Sequence, residues 1–327
     1  MLKVLLCSGY GAFRLNQRHW REVLKAHLPE GYEVRLLDES KSLKEQVQDV
    51  DVMIVGWAKI TKEIIDAAPN LRLIQQHGRG IEGVDVECAT KRGVYVAYVP
   101  AINAISVAEH VLCLMLALSK RLRKAEETFK AGKVGSPPTI ELYGKTLGII
   151  GLGATGRELA KRASLLGMRV IANKKRKDPR LAQELGLDFL GGPEDLDVIL
   201  READYVSIHV PLTPETRGMI GQREFGIMKR TAYLINVARG PIVDKKALYE
   251  ALTRGRIAGA AIDVFWSYPP NPDDPLFTLE NLIVTPHLAG FSTEAFNQVG
   301  KVMAEDIQRV ARGESPLNLA NLESVKR

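Results

Sequence analysis

The sequence predicts an α/β protein built as two doubly wound parallel-sheet domains. Two patterns carry that expectation. In both halves, short apolar runs of strand length alternate with stretches of helical periodicity, the crossovers that parallel strands require. In the second half, the β-branched run at 146–150 leads straight into Gly151, Gly153 and Gly156 and then a helix-forming stretch at 157–166. The chain is long enough for two cores, with 327 residues of which 46% are hydrophobic and 26% charged.

Taken in order, residues 1–100 give strands at 4–6, 33–37, 52–55, 73–75 and 94–97, with helices at 18–27, 44–47, 62–67 and 86–92 between them. That rhythm makes one domain. After Pro100 the pattern changes to one long helix over 104–131, opened by Asn103 and closed near Gly132. Its middle, VAEHVLCLMLALSKRL, is apolar nearly all round and must be covered on several sides, by a second copy of the chain or by its own domain. The basic stretch SKRLRKAEETFKAGK reads as the solvated end of that helix, and a turn follows at 135–138. The second domain then gives strands at 147–150, 169–172, 205–208, 232–236, 259–262 and 282–285. Helices fall at 157–166, 179–185, 195–201, 222–228 and 245–254, and an amphipathic last helix at 293–312 is polar enough to cover an outer face.

The strand, glycine turn and helix around LGIIGLGATG have the layout of a dinucleotide site of Rossmann type. Gly151 allows the tight turn, the bare Cα of Gly153 lets the backbone approach a pyrophosphate, and Gly156 lets the helix pack close to the strand. Leu152, Ala154 and Thr155 complete the loop, whose helix N-terminus offers unpaired donors to the phosphates. NAD sites carry an acidic residue for the ribose about 20 residues beyond the first glycine. This chain instead has Asn173, followed by Lys174, Lys175, Arg176 and Lys177. Cations in place of an acid suit the extra phosphate of NADP; the alternative is a solvated basic loop beside NAD.

Composition narrows the class. Net charge is +6, but acidic residues are spread throughout, so no nucleic-acid surface is implied. Cys7, Cys88 and Cys113 are scattered without paired spacing, which argues against a metal site or a disulfide framework and for reduced residues of a cytoplasmic protein. The apolar part of MLKVLLCSGYG is too short for a signal peptide, and the apolar run at 111–118 is far too short to span a membrane.

Ligands of open parallel sheets gather beyond the carboxyl ends of the strands. The polar residues expected there are His209, Arg239, Asp263 and His287. Hydride reduction of a ketone needs a proton for the new alkoxide and a cation for a neighbouring carboxylate. Histidine and arginine supply these.

The stretches SVAEHVLCLMLAL, GKTLGIIGLGATGRELAKRASLLGMRV, ADYVSIHVPLTPETRGMI, MKRTAYLINVARGPIVDKKALYEALTRGRIAGAAIDVF and NLIVTPHLAG resemble the D-isomer-specific 2-hydroxyacid dehydrogenases. That group contains phosphoglycerate dehydrogenase and glyoxylate or hydroxypyruvate reductases, and the resemblance spans almost the whole chain. It implies a Rossmann cofactor domain (101–287) inserted into a discontinuous, flavodoxin-like substrate domain (1–100 and 288–327), and a homodimer built on the long helix. By the same resemblance, Arg239 grips the substrate carboxylate and His287 donates the proton. Val107 lines the nicotinamide pocket, and His209, Val210, Pro211 and Thr216 belong to the cofactor stretch. Val237, Ala238 and Gly290 flank the site on the cofactor side, and Asp263 lies beside the carboxamide. Arg79 and Gly80, in HGRGIEGVD, occupy the loop whose backbone N–H groups hold the carboxylate, with the Arg79 cation suiting an acidic substrate.

One departure matters. Where the family has a glutamate that pairs with the histidine, this chain reads DVFWSYP and places Tyr268. Without a carboxylate partner, His287 should titrate closer to the reference of about 6.5. Tyr98 and Ala101 also depart from the asparagine and glycine of the family's hinge stretch. Trp57, Tyr98, Trp266 and Tyr268 are bulky enough either to wall the pocket or to serve as ordinary packing. The expectation is an NADP(H)-dependent reductase of a small 2-keto acid, with glyoxylate or hydroxypyruvate first. A dinucleotide-sensing binding protein, like the family's corepressor relatives, is the alternative.

Overall fold

The computed structural model describes residues 2–7, 14–56, 58–135 and 138–321, so Trp57 and the middle of the turn expected at 135–138 lie outside the described residues. The chain divides into two compact units, Met1–Ile102 with Ser292–Arg327, and Asn103–Phe291.

The first unit runs β1 (Leu2–Cys7), α1 (Arg14–His27), β2 (Tyr32–Leu36), α2 (Leu43–Gln46), β3 (Val52–Val55), α3 (Lys62–Asp66), β4 (Leu73–Gln76), α4 (Val86–Lys91) and β5 (Tyr95–Tyr98). Its parallel sheet has the order β2-β1-β3-β4-β5, the flavodoxin-like 2-1-3-4-5 arrangement. The central strands are unbroken apolar or buried runs because both faces are covered. Local chemistry sets the helix starts: Ser42 and Glu45 form a capping box on α2, and Asp85 caps α4.

The second unit runs α5 (Ala104–Ser119), α6 (Leu122–Lys130), β6 (Thr146–Ile150), α7 (Ala154–Leu165), β7 (Arg169–Asn173), α8 (Pro179–Glu184), β8 (Phe189–Gly191), α9 (Leu196–Glu202), β9 (Tyr205–Ile208), α10 (Gln222–Ile227), β10 (Tyr233–Asn236), α11 (Lys245–Thr253), β11 (Gly259–Ile262) and β12 (Leu282–Val284). The sheet order β12-β11-β10-β9-β6-β7-β8 is the 3-2-1-4-5-6 pattern with a seventh strand, all parallel. Val111, Leu114, Met115, Leu159 and Ala163 cover one face, and Ile199, Leu200, Phe225, Leu248 and Leu252 the other. The chain then returns to the first unit as α12 (Thr293–Ala311), capped by Ser292, where Phe296 meets the rings of His19 and Trp20 at 4.7 and 4.3 Å.

Two expectations need correction. The long helix of 104–131 is two helices, because Arg121 takes left-handed angles (φ 49°, ψ 44°). The break follows a buried polar contact: the Ser119 hydroxyl bonds the Met115 carbonyl and the Tyr205 hydroxyl, each at 2.6 Å. The short edge strand β8 was not foreseen, since three residues ending in glycine carry too little periodicity. Within the second unit Gly290 lies so close to Asn103 that a Cβ there would come within 2.2 Å of Asn103 Nδ2.

Candidate active site

The glycine turn sits at the switch point of the second sheet, between β6 and its neighbours β7 and β9. Gly151 has φ 98°, and a Cβ on it would fall 2.8 Å from Val210 Cγ1 and 2.9 Å from the His209 carbonyl carbon. A Cβ at Gly156 would lie 2.6 Å from Gly151 O, whereas at Gly153 it would meet nothing within 4 Å. Gly153 is the N-cap of α7, so the first N–H groups of that helix, including those of Ala154 and Thr155, face this open side. The arrangement fits a pyrophosphate: two glycines make the turn tight and the third leaves room.

Asn173 does a different job from the one its position suggested. Its side chain is buried, with Oδ1 accepting the Gly151 N–H at 3.0 Å, while its carbonyl accepts from Leu152 N. Asn173 therefore braces the glycine turn. Of the cations after it, Lys177 is paired with Glu194 and Asp195 at 3.1 and 3.0 Å, whereas Lys174, Lys175 and Arg176 form no ion pair among the described residues. Thr216 likewise folds its own loop, its hydroxyl donating to Pro211 O at 2.6 Å. The Ser207 hydroxyl lies 2.8 Å from His209 Nε2, and burial pushes His209 down to about 4, so the ring is neutral.

Arg239 is carried by a braced loop beyond β10. Asn236 spans it, accepting from Ala238 N and donating to Arg239 O. Val237 lies between those anchors, and Gly240 runs hard against the next loop, where a Cβ would fall 2.3 Å from Phe265 O. That approach brings Arg239 near Tyr268, whose pKa its charge pulls down while burial drives it up more strongly, to about 12.

His287 follows β12 with φ 56°, an unusual backbone for a side chain other than glycine. Asp263, 1% exposed, holds this turn: it accepts the Thr285 hydroxyl at 2.6 Å and the N–H groups of Leu288 and Ala289, each at 2.9 Å. Since Thr285 gives its proton to Asp263, it accepts from His110 Nε2, 3.1 Å away. Burial lowers the pKa of His110 and keeps it neutral. The His287 ring meets Tyr268, with Nδ1 2.5 Å from the phenol oxygen, and Phe265 N donates to that same oxygen at 3.2 Å. Arg239, Tyr268, Asp263 and His287 thus come together in one unit. Val107 lies in the same unit, on the first turns of α5.

Sequence reasoning missed His110, Thr285, Asn236 and Gly240. A lone histidine inside an apolar helix was the one available signal. Arg79 and Gly80 belong to the other unit, on the loop after β4. There Gln76 donates to the carbonyls of Gly56 and Gly80 and accepts from His77 N, and the Arg79 side chain is exposed. A cavity of about 470 Å³ in the second unit, lined by Ala117, Leu122, Arg123, Phe277 and Ile283, shares no residue with the site.

An open glycine turn at the switch point of such a sheet, with an arginine and a histidine at neighbouring strand ends, is the layout of a dinucleotide-dependent oxidoreductase. Residues 112–289 match the model for the NAD binding domain of D-isomer specific 2-hydroxyacid dehydrogenases. The chain is 40% identical over 288 residues to D-3-phosphoglycerate dehydrogenase of Methanocaldococcus jannaschii, covering 87% of this chain and 54% of that protein. It is also 40% identical over 293 residues to glyoxylate reductase of Korarchaeum cryptofilum, covering 88% and 87%. D-lactate dehydrogenase from Aquifex aeolicus, solved with NAD and lactic acid, superposes with a TM-score of 0.81 at 29% identity, covering 97% and 99%. The chain belongs to the D-isomer specific 2-hydroxyacid dehydrogenase family. It spans about half the length of the phosphoglycerate dehydrogenases it matches.

Proposed function

We propose that this protein is an NADP(H)-dependent reductase of small 2-keto acids, forming the D-2-hydroxy acid. The observation that carries the reading is the convergence of Arg239, Tyr268 and His287 in the unit that also holds the open glycine turn. The bound nicotinamide supplies hydride to the keto carbon. Arg239 grips the substrate carboxylate, and His287, oriented by Tyr268, gives a proton to the oxygen. Val107 and Gly290 flank the ring. The three unpaired cations after Asn173 support NADP over NAD, and the glyoxylate reductases among the similar proteins make glyoxylate the first substrate to try. The apolar side chains exposed on α5, α6 and α7 support a homodimer.

The test is NADPH consumption with a panel of 2-keto acids across pH. His287 acts as an acid, so the rate should be highest at low pH and fall as pH rises and the ring loses its proton. Tyr268, with its pKa at about 12, stays a neutral phenol throughout. No turnover at any pH would favour a dinucleotide-sensing binding protein.

A further inference from the structure

Asp263 is 1% exposed, so its carboxylate has exchanged water for the Thr285 hydroxyl at 2.6 Å and the N–H groups of Leu288 and Ala289, each at 2.9 Å. Burial pushes this carboxyl up, and the Thr285 bond does most among its partners to pull it back. That bond has a condition. A threonine hydroxyl rotates and carries one proton, so it serves Asp263 only while the proton points that way. His110, on α5, meets the condition. Its Nε2 lies 3.1 Å from the same hydroxyl oxygen but 3.7 Å from Asp263 Oδ1, too far for a direct hydrogen bond. An ionised carboxylate only accepts, so the hydroxyl proton goes to Asp263 and the neutral His110 ring donates from Nε2. The chain from His110 through Thr285 to Asp263 moves no proton; it fixes which way one points. The same turn meets α5 at a second place, where a Cβ on Gly290 would crowd Asn103.

We propose that His110 is a positioning residue of this site: by holding the Thr285 hydroxyl toward Asp263, it keeps the turn that carries His287 docked on α5. The inference rests on the reading of His287 as the proton donor. His110 acts only through Thr285 and Asp263. Without its N–H the hydroxyl turns to other acceptors for part of the time, and the buried carboxylate then lacks its shortest bond. The left-handed backbone at His287 loses part of what imposes it. The His110 side chain is 13% exposed and stands three residues beyond Val107, on the same side of α5, so one bond ties that side of the helix to the histidine turn.

The experiment compares wild type with His110→Leu, His110→Gln, Thr285→Val and the double variant His110→Leu with Thr285→Val. Each is assayed for NADPH-dependent reduction of the best 2-keto acid of the panel, for NADPH affinity by fluorescence titration, and for amide exchange at Leu288 and Ala289 by NMR. Expected in His110→Leu is a kcat lower by about tenfold or more, with the keto acid KM and the NADPH Kd within about threefold, and both amides exchanging faster by about tenfold or more. Glutamine brings an amide N–H to the place of Nε2–H, so His110→Gln should recover kcat to within about threefold of wild type. Both changes cut one chain, so the double variant should be slower than Thr285→Val by no more than about twofold. Losses that multiply in the double variant, a glutamine variant no better than the leucine one, or unchanged kcat and exchange in His110→Leu would each overturn the inference and leave the keto acid reductase standing. No turnover by wild type would overturn the reductase reading. Amide exchange then decides alone: unchanged rates overturn the hold of His110 on the turn, and faster rates support it.

Discussion

His287 owes its position to a residue that need not touch the substrate. Left-handed backbone angles at a histidine are unfavourable unless the surroundings impose them. Asp263 does so by gathering Thr285, Leu288 and Ala289 around one buried carboxylate. Asn in its place has one accepting oxygen, so at least one donor of the turn loses its partner. Asp263→Asn should lower kcat by about 10²-fold through misplacement of the ring, with the NADPH Kd from fluorescence titration changed by less than about threefold. A large loss of NADPH affinity with kcat retained would place the aspartate's work at the cofactor instead. Arg239 and His287 were legible as strand-end residues because each follows a strand whose end the sequence marks. The hold of Asp263 on the turn that carries His287 was not legible, since a hydrogen bond spanning 22 to 26 residues leaves no local pattern.

Among the elements, the loop after β7 and the end of α12 both carry consequences. Asn173 turns inward to brace Gly151, and Lys177 is occupied by Glu194 and Asp195, so the exposed cations that the proposed NADP would present its 2′-phosphate to are Lys175 and Arg176, which form no ion pair among the described residues. Replacing both with alanine should raise the KM for NADPH by about tenfold or more and leave that for NADH within about twofold. Equal losses for both would remove the NADP assignment. On α12, Asp306 is fully buried; one oxygen accepts Leu317 N at 2.7 Å, the other has no partner among the described residues, and burial pushes its pKa to about 6. Because the folded chain holds this proton more tightly than the unfolded one, the stability linked to it is full below about pH 4 and lost as pH rises through about 6. Denaturant titrations should show wild type losing about 1–2 kcal/mol relative to Asp306→Asn between about pH 4 and 7, and parallel curves would refute it.

On the scale of the whole molecule, both ends of the chain build the first unit. β5 gains an antiparallel bridge from Ala97 to Leu319, and α12 lies so close to α1 that a Cβ at Gly300 would come within 2.1 Å of Val23 Cγ1. The second unit leaves apolar surface uncovered: Phe129 is 81% and Leu165 88% exposed, with Ile105, Leu116 and Leu122 also open. Patches of this kind mark association sites. The pair Phe129→Asp and Leu165→Glu should convert a dimer to a monomer in sedimentation velocity with circular dichroism unchanged. A wild-type monomer at every concentration, or a dimer indifferent to the pair, would contradict an interface there.

The sequence alone determined the fold class, the glycine turn and the strand ends that carry Arg239 and His287, because periodicity and glycine spacing are local and strong. Tertiary structure alone decided what those ends face. Ser119 and Tyr205 accompany the break in the helix that apolar composition made continuous, Asn173 is drawn under the glycine turn, and Asp263 fixes a histidine in a backbone that its own type disfavours. Each of these depends on buried polar groups finding partners distant in sequence, a requirement that only the packed chain can satisfy.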